Sequence, residues 1–358
     1  MKSSVPTDLS LRIALAHHKA GRVAEAEGIY REVIGREPGN AGALNSLGVL
    51  AMQGGRVELA VEVLRKAVAA DPRAGDFWCN LGEALRLQGK ADRAIESFLK
   101  AIELKPELAV AHNNLGLARA DLKDFPGAIL AYRAAIGIDP EYAAAYSNLG
   151  IALSKIGAAG VAGAARGEAD AARGEVDTAR DDAGAARAEA DAAPANDVGA
   201  ARRDAVAALD DAIAACRKAV ELQPQSAQSH NNLGVVLAAG DHFDNAVASY
   251  HRAIQLNPDY ADAYANLGNC LAEQGHGDAA IAALRRAVAL QPGAFHLHWN
   301  LAVALLRAGD FANGWAEYEW RLRSPARLAR QQIAGVSVAP TTLGFAVAID
   351  PAATRAID

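Results

Sequence analysis

The sequence predicts an all-α solenoid of about eight helix–turn–helix units with one low-complexity insert. Three observations predict it. Seven prolines keep a 34-residue period: Pro38, Pro72, Pro106 and Pro140, then Pro224, Pro258 and Pro292. With each proline set at position 32, position 8 is always small: Ala14, Gly48, Gly82, Gly116, Gly150, Gly234, Gly268, Ala302. Position 20 is small as well, from Ala26, Ala60, Ala94 and Ala128 to Ala212, Ala246, Ala280 and Gly314.

Each element follows from these positions. Small side chains at positions 8 and 20 let the two helices of a unit cross at close range. The proline ends the second helix, because it lacks an N–H and fixes φ. Glycines at the internal turn, Gly21, Gly55, Gly89, Gly157, Gly275 and Gly309, are expected to stop the first helix. Position 21 is apolar from the second unit on (Val61, Ile95, Ile129, Ile213, Val247, Ile281, Trp315). The units run 7–40, 41–74, 75–108, 109–142, 143–226, 227–260, 261–294 and 295–328. A 34-residue helix–turn–helix period with these small residues resembles the tetratricopeptide repeat (TPR) family. The resemblance implies a superhelical solenoid whose units bury their apolar stripes only by stacking.

One phrase recurs within the units: "AHNNLG" at 111–116, "SHNNLG" at 229–234, and variants ending in "NLG". It places asparagine at position 6 of six consecutive units: Asn80, Asn114, Asn148, Asn232, Asn266 and Asn300. In the family, first helices line the concave side. Neighbouring helices about 10 Å apart would meet an extended peptide, at about 3.3 Å per residue, every third residue. A carboxamide both donates and accepts, so a row of them can read a main chain. Asn45, Asn113 and Asn231 at position 5 would widen the strip. Glu83, Leu117, Ile151, Val235, Asn269 and Trp299 would tune side-chain preference. The alternative is architectural, with the asparagines bonding to neighbouring helices. The same phrase resembles the TPR arm of O-linked N-acetylglucosamine transferases over roughly 75–294, where an asparagine ladder grips substrate peptides. The family's basic carboxylate clamp is not matched, since the corresponding positions hold Asp76, Val110, Ala144, Asn80 and Asn114.

Pro140 and Pro224 are 84 residues apart, so the fifth unit carries 50 extra residues. The insert at 158–207 is placed in that unit's turn. It divides the array into 7–157 and 208–328 and leaves a C-terminal tail at 329–358. The insert holds 21 Ala, 6 Gly, 6 Arg and 10 Asp or Glu, with no Leu, Ile, Met or aromatic residue. Heptads such as "AARGEAD" recur from Ala164 to Asp191. Alanine and i,i+4 charge pairs favour helix, whereas glycine costs about 1 kcal/mol each. A marginal helix or a disordered loop is expected, with a weak alanine-seam partner site as the alternative.

"GDFANGWAEYEWRLRSP" closes the array. Trp315, Tyr318, Trp320 and Arg321 form either an end cap or a docking surface for a following domain. Arg321 replaces the small residue of position 27, so a ninth unit is not expected. The stretch resembles the junction of bacterial TPR proteins that lead into a glycosyltransferase-like domain. The tail is too short for such a domain and reads as a truncated or non-domain remnant. The competing function is therefore the substrate-recognition arm of a glycosyltransferase whose catalytic part is missing or supplied by another chain.

No catalytic, metal or cofactor constellation is visible. His112, His230 and His298 stand at position 4, where units usually carry a large packing residue such as Trp78, Tyr146 or Tyr264. Cys79, Cys216 and Cys270 are isolated, which fits a reducing cytoplasm. A net charge of −6 without a basic cluster argues against nucleic acid. No secretory leader is apparent, and no run approaches membrane-spanning length. The expected partner is a protein or an extended peptide.

Overall fold

The computed structural model describes residues 6–180 and 195–323; the heptads beyond 180 and the tail at 329–358 lie outside the described residues. Those described form sixteen α-helices and one terminal 3₁₀ turn, with no strand. The first helices of the eight units are α1 (Thr7–Lys19), α3 (Ala41–Gln53), α5 (Gly75–Leu87), α7 (Ala109–Asp121), α9 (Ala143–Arg180), α11 (Ala227–Ala239), α13 (Ala261–Glu273) and α15 (Phe295–Arg307). The second helices are α2 (Val23–Arg36), α4 (Val57–Ala70), α6 (Ala91–Leu104), α8 (Phe125–Ile138), α10 (Ala195–Leu222), α12 (Phe243–Leu256), α14 (Gly277–Leu290) and α16 (Phe311–Tyr318).

The two helices of each unit pack on one another, and each second helix packs on the next first helix. Successive first helices also touch, as α3 does α5 and α11 does α13, while second helices make no comparable contact with each other among the described residues. That asymmetry sets the first helices on the inner side of the stack.

The crossing inside each unit is set by position 8 against a large residue at position 24. A Cβ added at Gly48, Gly116 or Gly234 would lie 2.5 Å from the Leu64, Tyr132 or Tyr250 side chain, and one at Gly82 would lie 2.6 Å from Phe98. Ala26, Ala60, Ala94, Ala128, Ala212, Ala246 and Ala280 at position 20 are fully buried. The apolar core is therefore a row of clusters that pass from unit to unit.

Seven turns close alike. The position-15 residue takes positive φ, and the next N–H reaches back to a carbonyl five residues earlier, as Arg22 does to His17 (3.0 Å) and Asp124 to Arg119 (2.9 Å). Glycine fills this left-handed position at Gly21, Gly55, Gly89, Gly275 and Gly309, but Lys123 (φ 65°) and Asp241 (φ 61°) hold it in units 4 and 6.

Gly157 corrects the expectation of a turn there, because α9 runs straight through it. The insert lengthens both helices of unit 5, so no turn is needed at that point. Glycine serves contact here: a Cβ on Gly157 would lie 2.7 Å from Leu209, and one on Gly160 would lie 2.7 Å from the Ala205 Cβ. Ala164 and Ala205 are buried along the same seam. The alanine-rich extension thus pairs α9 with α10 near its base. It also corrects the expectation about membrane-spanning length. Ala143–Ala165, with a mean hydropathy of 1.2, is long and apolar enough to span a bilayer. Within it Ala145, Leu149, Ala152 and Leu153 are buried in the stack, and 39% of its apolar window is buried.

Candidate functional site

The position-6 asparagines all lie on first helices, and all six are half-buried. Three of them reach one unit back. Asn80 Nδ2 donates to Asn45 Oδ1 at 2.9 Å, Asn148 to Asn113 at 2.9 Å and Asn266 to Asn231 at 3.0 Å. The acceptors stand at position 5. Asn113 and Asn231, expected to widen an exposed strip, are only 4% and 6% exposed. They sit behind the strip and bind the following unit, because position 5 faces the junction between first helices.

The ties alternate. Position 5 of the intervening units is Cys79, Ser147 and Ala265, none of which offers an amide. Asn114 accepts from Asn113 Nδ2 at 3.2 Å. No side-chain bond to another described residue is made by Asn232 or Asn300. At the junction preceding Asn232, the buried Ser147 hydroxyl has no partner either. A hydroxyl is too short to stand in for the amide. Amide capacity therefore remains on the inner face at Asn114, Asn232 and Asn300, and in part on the tied members. Asn269 is exposed.

Position 9 lies beside this row. Leu117, Ile151 and Val235 are half-buried against the core. Glu83 is engaged by Arg86 at 2.9 Å, and Arg86 also reaches Asp121 of the next unit at 3.2 Å. Those two carboxylates hold the guanidinium pKa above its ordinary value.

A second set of ties was not foreseen. Trp78 Nε1 donates to the Pro72 carbonyl at 3.0 Å. His112, His230 and His298 use Nε2 in the same way on Pro106 (2.9 Å), Pro224 (3.0 Å) and Pro292 (3.0 Å). A carbonyl oxygen only accepts, so each Nε2 must carry the proton. The histidines replace tryptophan because both present a ring N–H to the preceding proline's carbonyl. The constant six-residue offset from Pro to Trp or His was the signal for it.

The terminal cluster divides. The Trp320 ring stacks on His298 at 3.8 Å, and the other nitrogen of His298 meets Glu317 Oε2 at 2.5 Å. The Arg321 guanidinium lies 4.3 Å over the Tyr318 ring. Trp299 packs 5.1 Å from Tyr318. Trp320, Tyr318 and Arg321 are thus held by the chain's own contacts; Trp315 meets the Tyr318 ring edge-on at 5.4 Å yet remains 55% exposed, and Phe311 is 61% exposed.

Burial pushes the Cys79 and Cys216 thiols up to about 12, Cys79 with help from Asp76 and Glu83. Such thiols are not poised as nucleophiles near neutrality. Among the described residues no group of three or more His, Cys, Asp or Glu could hold a metal ion.

A family model described as "Tetratricopeptide repeat" matches residues 11–74, 55–109, 231–294 and 271–319, and one described as "TPR repeat" matches 116–157. No curated protein matches the chain. Among solved structures, a chain of the APC/C hetero-tetramer Cut9-Hcn1 is 16% identical, with a TM-score of 0.58 over 82% of this chain and 48% of that one. This chain therefore spans about half the length of that neighbour. A tetratricopeptide repeat protein from Parabacteroides merdae is 12% identical, with a TM-score of 0.58 over 84% of this chain and 98% of its own. A thermophilic TPR protein of Thermus thermophilus is 22% identical, with a TM-score of 0.48 over 65% of this chain and 100% of its own. At these identities the likeness is one of fold.

Proposed function

Since this chain belongs to the tetratricopeptide repeat family, whose arrays generally mediate protein–protein interaction, we propose that it is a scaffold that holds an extended peptide segment of a partner along its first helices. The observation that carries this reading is the row of six half-buried asparagines on consecutive first helices, some without a side-chain partner among the described residues. An unpartnered amide keeps a donor and an acceptor for a ligand main chain. The tied members Asn80, Asn148 and Asn266 combine both roles weighed from the sequence: each gives one N–H to a neighbouring unit and keeps its oxygen and a second N–H. A cytoplasmic setting belongs to the proposal and rests on three free, buried thiols.

The test uses the untied asparagines, because their removal breaks no bond between units. Asn114→Ala/Asn232→Ala/Asn300→Ala should keep the parent's circular dichroism, with a melting temperature lowered only by loss of the Asn113–Asn114 bond within unit 4. Partners captured by the parent chain should be lost from it. A folded triple variant that captures the same partners at the same level would refute a role for the row in binding. Weight would then move to the outer face or to the terminal aromatics.

A further inference from the structure

The inner face is not uniform along the stack. Helix α11 carries no charged residue. In α7 the charges are Arg119 and Asp121, both near its C-terminal end, and in 143–157 of α9 the one charge is Lys155. His112 and His230 have their Nε2–H groups turned onto proline carbonyls. Across units 4 to 6 position 9 holds Leu117, Ile151 and Val235, all half-buried. One turn further along, position 12 holds the small residues Ala120, Ser154 and Ala238. The window has edges. In unit 3 the same two positions are Glu83 and Arg86, bound to each other, and in unit 7 position 9 is Asn269, with Glu273 and Arg307 paired nearby. In unit 6 stands Asn232, whose amide has no side-chain partner among the described residues.

Resting on the binding reading above, we infer that the inner face of units 4 to 6 takes an extended, uncharged partner segment with aliphatic side chains, about nine residues long. A charged ligand side chain brought here would lose water and meet no counter-charge, which is costly. An aliphatic one would cover Leu117, Ile151 or Val235 and fill the space left by Ala120 and Ala238. The ligand main chain would bond to Asn232 first and to the free edges of Asn114 and Asn148. Unit 3, polar at both positions, and unit 7, polar at position 9 but holding Ala272 at position 12, bound the segment.

The probes are three fluorescein-labelled, terminally blocked nonapeptide pools, titrated against the full chain by fluorescence anisotropy. One pool is randomised over Val, Leu, Ser, Thr and Gln; the others carry Glu or Lys at alternate positions. The uncharged pool should bind at least about tenfold more tightly than either charged pool. Val235→Glu should abolish that preference and favour the Lys pool. If Val235→Glu does not fold, Leu117→Ser should weaken the uncharged pool about tenfold, the low end of the effect of losing an apolar contact. Equal or tighter binding of a charged pool, still lost in Asn114→Ala/Asn232→Ala/Asn300→Ala, overturns this inference and leaves the binding reading standing. Binding untouched by the triple variant overturns both. No binding of any pool overturns the inference.

Discussion

Asn148 gives its side-chain N–H to the Asn113 carboxamide oxygen across 2.9 Å, joining two units through residues 35 apart in sequence. Asn113 is buried, so an acceptor left without its donor would be desolvated for nothing. Asn148→Ala should cost about 1–2 kcal/mol. A double-mutant cycle with Asn113→Ala in urea unfolding should return a coupling of about 0.5–1.5 kcal/mol. A coupling near zero would show that the pair does not hold the units together.

Ser147 occupies the place that Asn113 and Asn231 fill elsewhere, with its hydroxyl unpartnered. Ser147→Asn should supply the missing acceptor to Asn232 and raise stability by about 0.5–1 kcal/mol, read as a higher urea midpoint with an unchanged slope. It should also weaken peptide binding several-fold, because the tied amide is fixed in orientation and has one N–H fewer for a ligand main chain. A gain in stability with unchanged affinity would separate Asn232 from the ligand.

Lys123 and Asp241 sit in the left-handed conformation that glycine adopts in five sister turns. That conformation costs a residue with a Cβ about 1–2 kcal/mol. Glycine's larger unfolded-state freedom offsets part of this. Lys123→Gly and Asp241→Gly should each stabilise by about 0.5–1 kcal/mol, while Gly89→Ala should destabilise by a similar amount. Thermal melts of the three variants decide it.

Glu27 takes two bonds from Arg56, at 2.9 and 2.7 Å, and further bonds from Arg31. Arg56 first and Arg31 second lower its carboxyl to about 2. A carboxyl lowered in the folded state adds stability that is complete above its ordinary pKa, near 4.5, and is lost as pH falls towards 2. Glu27→Gln should therefore cost about 1–2 kcal/mol at pH 7, after allowance for solvent screening. The difference from the parent should shrink below pH 4 and vanish near pH 2. A difference constant from pH 7 to pH 2 would assign the effect to packing.

His230→Phe keeps the ring and removes the N–H that meets the Pro224 carbonyl. A loss of about 0.5–1.5 kcal/mol is expected, with His230→Trp largely restoring it as Trp78 does in its own unit. If Phe is as stable as His, the ring contributes by packing alone.

Repeat length, unit bounds and the small residues at positions 8 and 20 were legible because each is a steric need that recurs at a fixed offset. A Cβ on Gly48 would lie 2.5 Å from Leu64, and the same position stays small as Ala14 and Ala302 in the end units. The asparagine row was legible as a row, but its division was not. Whether an amide faces a ligand or a neighbour depends on position 5 of the preceding unit, and Cys79, Ser147 and Ala265 carry no polar pattern that announces the gap. Gly157 was misread because glycine serves both a left-handed turn and a close helix crossing. Only the helix continuing past it tells them apart. The histidines were read as bulk, since position 4 usually holds a large packing residue and the six-residue offset from proline was not weighed as a hydrogen-bond register.

The lengthened pair α9 and α10 bears on how the chain reaches this structure. Gly48 meets Leu64, and Gly116 meets Tyr132, sixteen residues on, but Gly150 must find Cys216 across sixty-six. The longer closure costs about 1 kcal/mol of extra chain entropy before any contact repays it. The units on either side have only short loops to close, and units interact mainly with their neighbours. The array should therefore form as two early blocks, and the junction between them, where Ser147 faces Asn232, should be the last step of refolding.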